Sequence, residues 1–319
     1  MKTSNLLRRT LIVLGTLTVL ACLALVGTGY YLLDYGLAPD PNRRDKDSAY
    51  TDLYTRYPDM EAWVKSHRLR RLSLKNNQGQ HLHADYIKAD SATGRTAIVV
   101  HGYRDCNVKF LYLARMYREM GFNVLLPDLV AHGQSQGEAI QMGWNDAEDL
   151  LAWCGAAYRL FSTKEEQASI VVHGVSMGAA TVMNFSGRDV PPYVRAAVAD
   201  CGFTSVWDEF SAQLHAQFGL PDFPLLSVAS MLCEWHYGWN FHEASPLESV
   251  RKSLLPTLFI HGTNDDYVPT HMVHELYAAK AGEKQLWLAP DAGHAESFKL
   301  HPEEYARRIS TFCNAALQE

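Results

Sequence analysis

Cysteine is sparse and scattered in this chain of 319 residues: there are six, at 22, 106, 154, 201, 233 and 313, with no C-x-x-C pair and no framework spacing. That argues against a cysteine-rich zinc module and a disulfide-stapled scaffold. With Cys22 inside an N-terminal apolar run, five remain, an odd number, and mostly free, buried thiols are expected. The fourteen histidines are equally dispersed and include no H-E-x-x-H, so no metal site is expected. Basic blocks are missing too. Lysine and arginine total 29 against 35 acidic residues, a formal net charge of −6, which leaves no electrostatic footprint for nucleic acid. No cofactor and no obligate protein partner is implied. The composition, 47% hydrophobic and 20% charged, suits one sizeable α/β domain or such a domain with an insertion.

The first positive feature is the N-terminus. After Lys2, Arg8 and Arg9, residues 11–33 (LIVLGTLTVLACLALVGTGYYLL) carry no charge. A span of about 20 apolar residues is what a helix needs to cross a hydrocarbon core, whereas a signal-peptide apolar region runs about 7 to 15. The reading is therefore an uncleaved single-pass membrane anchor. Two alternatives stand beside it: cleavage near Gly29 to give a secreted protein, and a lipoprotein processed at Cys22 in VLAC. Arg9 before the run and Asp34 after it favour an inside N-terminus and an extracytoplasmic globular domain, although Arg43, Arg44 and Lys46 weaken the asymmetry.

Along the rest of the chain the expected organisation is a basic tail over 1–10, the anchor over 11–33, a linker and lead-in over 34–67, and the globular domain over 68–319. The linker reading rests on DYGLAPDPNRRDKDSAY, rich in proline and charge. LRRLSLKNNQGQHLHADYIKA alternates about a turn and reads as a β-hairpin. Then come six short apolar runs, TAIVVHG, FNVLLPD, ASIVVHG, RAAVADCG, PTLFIHG and KQLWLAP, separated by helix-like stretches. Such runs mark strands of a mostly parallel sheet buried on both faces, here with two antiparallel strands leading into six parallel ones. Residues 206–250 are too long for a simple crossover and hold Trp207, Phe210, Phe218, Phe223, Trp235, Tyr237, Trp239 and Phe241. They read as a helical cap whose aromatics mostly pack it down, a few of them available to line an apolar pocket.

One stretch carries chemistry. In VVHGVSMGAATVMN, Ser176 stands between Gly174 and Gly178, after a strand and before a small-residue helix. G-x-S-x-G alone is a weak pattern, but the strand–turn–helix context is what a nucleophile elbow requires. A serine hydroxyl needs a base to take its proton, and the partners should follow in the order acid, then histidine. Asp265 in FIHGTNDDYVP lies past a strand end, and His294 in DAGHAES lies on the loop before the last helix. Asp266 and Asp200 are competing acids. His301 reads as a helix-start residue, and His101, His173 and His261 as strand-end histidines hydrogen-bonded locally. For the oxyanion, the expected donors are the backbone N–H groups of Met177 and of Tyr103, in the loop after the first parallel strand. Backbone shape at 103 and 177 should then matter more than their side chains.

Taken in order, HGYRD, PDLVAHGQSQG, HGVSMGA, HGTNDDYVP and AGH make residues 68–315 resemble an α/β-hydrolase-fold serine hydrolase. The likeness is to membrane-anchored or exported bacterial members of the esterase and aminopeptidase-like branch. It implies an eight-stranded, mostly parallel sheet with helices on both faces, a Ser176–Asp265–His294 triad, and Tyr103 and Met177 as oxyanion donors. One departure is Val130, where relatives often carry arginine. The implied activity is cleavage of small-molecule acyl esters through an acyl-enzyme. A peptidase, thioesterase or acyltransferase is the alternative, and a non-catalytic binding module the remote one. A peptidase would need an acid for the substrate's amino group, for which Glu209, Asp222, Glu234 and Glu243 in the cap are candidates.

Overall fold

The apolar runs pair into one sheet of eight strands: β1 (Arg70–Lys75), β2 (His81–Ile87), β3 (Arg95–Val100), β4 (Asn123–Pro127), β5 (Ser169–Val175), β6 (Val194–Asp200), β7 (Thr257–Gly262) and β8 (Lys284–Ala289). The structure is a computed structural model that describes residues 2–318. Met1 and Glu319, the outer ends of the expected tail and globular domain, lie outside the described residues. Strand order is β1-β2-β4-β3-β5-β6-β7-β8. β2 is antiparallel to both β1 and β4, and every other neighbouring pair is parallel. The expected β1–β2 hairpin is present, and because β1 is antiparallel to β2 it points the same way as the parallel six.

Central strands are continuous runs of Val, Ile, Leu and Ala because both faces are covered, and their side chains alternate between two cores. Ile98, Val100, Ile170 and Val172 face one core, while Ala97, Val99, Val171 and Val198 face the other. The first core is closed by α5 (Asp146–Phe161) and α6 (Met177–Ser186), with Trp153 and Phe185 fully buried. The second is closed by α4 (Leu111–Glu119) and α12 (Pro302–Gln318), through Tyr117, Tyr305 and Phe312. Helices α9 (Pro246–Val250) and α10 (His271–Ala279) cover a smaller cluster around Phe259, and α11 (Ser297–Leu300) leads into α12.

Two N-terminal boundaries differ from expectation. The apolar helix α1 runs Lys2–Leu37, so the residues read as a basic tail continue it, and it ends where Pro39 follows. Its segment Leu7–Leu37 is the one helix among the described residues that is long and apolar enough to cross a membrane. The stretch read as linker and lead-in is largely helical: α2 (Lys46–Arg56) and α3 (Met60–Ser66). Asp45 caps α2 by accepting from the Asp47 and Ser48 N–H groups at 3.1 Å each, and Ala49, Leu53 and Met60 are buried. Proline and charge masked a helix whose apolar residues recur at i and i+4.

Residues 206–250 fold as α7 (Val206–Phe218), α8 (Leu225–Tyr237) and α9. Ser205 caps α7 through the Asp208 N–H, and Gly219 and Gly238 end α7 and α8 in the left-handed conformation. Trp239 and Phe241 are buried cap anchors. All six cysteines are free, five of them buried.

Candidate active site

β5 passes into α6 through Ser176, whose backbone sits at φ 58° and ψ −121°. Such a conformation is strained for a residue with a side chain and persists only where neighbours enforce it. Here the glycines enforce it. A Cβ on Gly178 would come within 2.2 Å of the Val100 carbonyl oxygen, and one on Gly174 within 2.0 Å of the Gly178 oxygen. The Ser176 N–H donates to the Asp200 carbonyl at 2.8 Å, tying the elbow to β6.

Three side chains remote in sequence meet at this rim. Ser176 Oγ lies 2.9 Å from His294 Nε2, and His294 Nδ1 lies 2.8 Å from Asp265 Oδ2. The Asp265 carboxylate is fully enclosed. Its Oδ1 accepts from the N–H groups of Tyr267 at 3.1 Å and Val268 at 2.9 Å, while His261 Nε2 lies 3.3 Å from Oδ2. Burial pushes this carboxyl's pKa up, but the bonds to His261 and His294 outweigh it and hold the group at about 2. Asp265 is therefore an ionised acceptor at working pH. It favours the Nδ1–H tautomer of His294 and leaves the Nε2 lone pair facing Ser176 Oγ.

Of the competing acids, Asp266 is exposed, and Asp200 Oδ2 instead accepts from Tyr305 Oη at 2.8 Å. His301 Nε2 sits 2.7 Å from the Pro290 carbonyl. His101 bridges the Gly102 carbonyl and the Leu129 N–H, and His173 lies between Tyr117 and Tyr305. Burial lowers His101 to about 4 and His173 to about 3, so both are neutral. His261 makes the expected local bond, to the Val268 carbonyl at 2.9 Å, and also lies against Asp265. Cys201, Asp265 and His294 place three ligand-type atoms within 4.8 Å of one another. Both imidazole nitrogens of His294 are already engaged, so the group does not offer a cation a free histidine lone pair.

Met177, the first residue of α6, and Tyr103, after Gly102, both line the cleft that opens on Ser176. The cleft has a cavity volume of about 200 Å³. Phe210, Phe218 and Phe241 of the cap are among its walls, so part of the aromatic set lines the pocket and part packs the cap. Of the four cap acids only Glu209 reaches it; Asp222 accepts from Ser211, and Glu234 and Glu243 face solvent. Glu209 is 4% exposed, accepts from Gln213 through Oε1 at 3.2 Å, and has no partner for Oε2. Burial raises its pKa to about 8.

Sequence reasoning missed two contributors. His132 accepts the Arg104 N–H at 3.1 Å and so shapes the loop after β3. The side chains of that loop also reach α1: Tyr103 Oη donates to the Gly36 carbonyl at 2.8 Å. No pattern in one dimension announces that a remote helix end will meet this loop.

A reversed strand before a parallel sheet, an elbow serine after β5, an acid after β7 and a histidine after β8 define an α/β-hydrolase scaffold. The chain belongs to the α/β-hydrolase family. The family model Hydrolase_4, described as serine aminopeptidase, S33, matches residues 92–238. The chain is 31% identical to the uncharacterized protein YqkD of Bacillus subtilis over 228 residues, which is 71% of this chain and 73% of YqkD. It is 27% identical to YfhR of Escherichia coli K12 over 241 residues, 75% of this chain and 77% of YfhR. Among solved structures it is similar to the Pyrococcus furiosus esterase Pf2001, with a TM-score of 0.62 and 23% identity over 79% of this chain and 92% of that one. It is also similar to Est1E of Butyrivibrio proteoclasticus with bound ferulic acid, TM-score 0.58 and 18% identity over 78% of this chain and all of the other. At that identity the structural likenesses speak for the fold alone.

Proposed function

We propose that the protein is a membrane-anchored serine hydrolase that cleaves carboxylic acyl esters, with its catalytic domain outside the cytoplasm. The observation that carries the reading is the hydrogen-bonded chain from Ser176 Oγ through His294 to the enclosed Asp265, set at the base of a mostly apolar cleft. In the reaction His294 takes the Ser176 proton as Oγ attacks the ester carbonyl. The C–O bond to the alcohol breaks, and the imidazolium gives its proton to the leaving alkoxide. Water, deprotonated by the same imidazole, then attacks the acyl-enzyme and releases the acid and free Ser176. The N–H groups of Met177 and Tyr103 are the proposed donors to the tetrahedral oxyanion, each typically worth about 3 kcal/mol in such sites. α6 adds the positive end of its dipole. Arg8 and Arg9 before the span and Asp34 near its end support the orientation.

One observation favours a second reading, an aminoacyl amidase or peptidase. Glu209 places a carboxyl with an unpartnered oxygen in the cleft, where a substrate ammonium would ionise and pair with it. The apolar character of the remaining wall favours the ester. A parallel panel on the full chain separates them: p-nitrophenyl acyl esters of rising length against aminoacyl p-nitroanilides. The ester reading predicts turnover of the first set and a preference for apolar acyl chains. Faster turnover of the anilides, lost in Glu209→Gln, would overturn it.

A further inference from the structure

The apolar helix α1 does not stop beside the catalytic domain but ends inside the cleft. Leu32, Tyr35 and Gly36 form part of its wall. Gly29 packs on α8, where a Cβ would sit 2.7 Å from Val228 Cγ1, and Gly36 lies against the Phe210 ring of α7. A helix end leaves its last carbonyls unpaired. Here the loop that carries the proposed oxyanion donor takes several of them. Tyr103 Oη donates to the Gly36 carbonyl at 2.8 Å, and Arg104 Nη2 donates to the Tyr35 carbonyl at 2.9 Å and the Ala38 carbonyl at 3.3 Å. The Ile140 N–H donates to the Leu37 carbonyl at 2.8 Å.

Among the described side chains, those of α1 from Leu7 to Ala24 have no protein cover. Its large apolar side chains from Leu7 to Leu23 are between 55% and 63% exposed. At 1.5 Å per residue that stretch approaches the roughly 30 Å of a hydrocarbon core, which places the docked end near the headgroups. Tyr30 and Tyr31 are exposed at this level. The cap adds to it. On α8, Met231 (69% exposed) and Trp235 (74%) form a row beside Val228 and Leu232, which lie against Gly29 of α1, and Phe223 (78%) precedes the helix. Isolated exposed apolar residues need no explanation, but aromatic groups gathered where a membrane helix enters its domain form an interfacial belt.

We propose that the cleft is loaded from the bilayer: the substrate is an amphipathic acyl ester resident in the membrane, its chain entering between the end of α1 and the cap. Resting on the serine-hydrolase and anchor reading above, this makes α1 a specificity element as well as an anchor. The Tyr103 and Arg104 clamps hold the reacting serine at a fixed height above the membrane.

The test uses the full chain in phosphatidylcholine vesicles with two substrates, 1-oleoylglycerol dissolved in the bilayer and water-soluble p-nitrophenyl acetate. The wild type should cleave both. Met231→Ser/Trp235→Ser should slow the vesicle-borne ester at least roughly tenfold, because the lost apolar contact with lipid is large. The same variant should hold the acetate rate within about twofold, which also reports that it is folded. Leu32→Trp should shorten the longest acyl chain accepted. Independently of turnover, brominated lipid should quench wild-type tryptophan fluorescence, and less so in Trp235→Phe. Turnover of the acetate with no turnover of the oleoyl ester, or equal oleoyl rates in wild type and variant, would overturn bilayer loading while leaving the hydrolase reading intact. No turnover of either substrate, with no labelling of Ser176 by a fluorophosphonate, would overturn both.

Discussion

Replacing Asp265 by asparagine changes one atom's role and little else. The asparagine oxygen can still accept the Tyr267 and Val268 N–H groups, as Asp265 Oδ1 does at 3.1 and 2.9 Å. In place of Oδ2, however, an NH₂ group would face His294 Nδ1 at 2.8 Å, a donor where the imidazole now donates. The ring must then carry its proton on Nε2, pointing it at Ser176 Oγ 2.9 Å away, and the base becomes a donor. The change that produces this wrong tautomer in a measured serine protease lowers kcat about 10⁴-fold, which corresponds to about 5.5 kcal/mol of barrier. Steady-state turnover of p-nitrophenyl butyrate at pH 7.5, with a thermal melt of each protein, tests it. A loss of roughly four decades with a melting curve close to wild type is the expected result. A loss below about tenfold in a folded variant would refute the reasoning. It would shift the acid's role toward Asp200, which the present geometry gives to Tyr305 instead.

Other consequences follow from the same contacts. Gly178→Ala should abolish activity and lower the melting temperature sharply, because its Cβ would meet the backbone carbonyl oxygens of Val100 at 2.2 Å and His101 at 2.6 Å; an active, stable variant would contradict the elbow. Glu209→Gln should change the pH dependence of stability. The native wild type keeps at pH 7 a proton the unfolded chain releases, so its stability falls as pH rises through about 8. From pH 6 to pH 9 the variant should gain on the wild type by on the order of 2 kcal/mol in thermal or urea unfolding, and parallel profiles would refute the buried neutral carboxyl. Asp265 behaves oppositely. Its carboxyl is depressed to about 2, so the stability it contributes is present above the usual carboxylate range and fades only as pH falls through about 2. Trp239→Ala, at a fully buried cap anchor, should cost about 3 to 5 kcal/mol of stability in chemical unfolding.

Much of the scaffold was legible because each strand run is a continuous apolar segment ended by a turn residue, a pattern that buried parallel strands impose directly. Ser176 was legible because its strained φ needs glycines two residues to either side. Asp265 and His294 were legible as the carboxylate after β7 and the histidine after β8, which the fold brings together with Ser176. The hairpin of β1 and β2 was legible in its alternation about a turn, which sets β1 antiparallel to β2. Helices α2 and α3 hid behind proline and charge, although the Asp45 cap and the Ala49–Leu53 spacing were present in the letters. The meeting of α1 with Tyr103 and Arg104 leaves no periodic trace, because it joins residues more than sixty positions apart through side-chain bonds to carbonyls. Glu209 stood among four equivalent cap acids until the fold turned it inward.

The proposed catalysis rests on Ser176 acting as a nucleophile activated by His294. Incubating the wild type, Ser176→Ala and His294→Ala with a fluorophosphonate, followed by peptide mass spectrometry, tests it most directly. A single adduct on Ser176 in the wild type, none in Ser176→Ala and labelling slowed by orders of magnitude in His294→Ala is the predicted result. Labelling of a folded wild type at another residue, or equal labelling without His294, would contradict it.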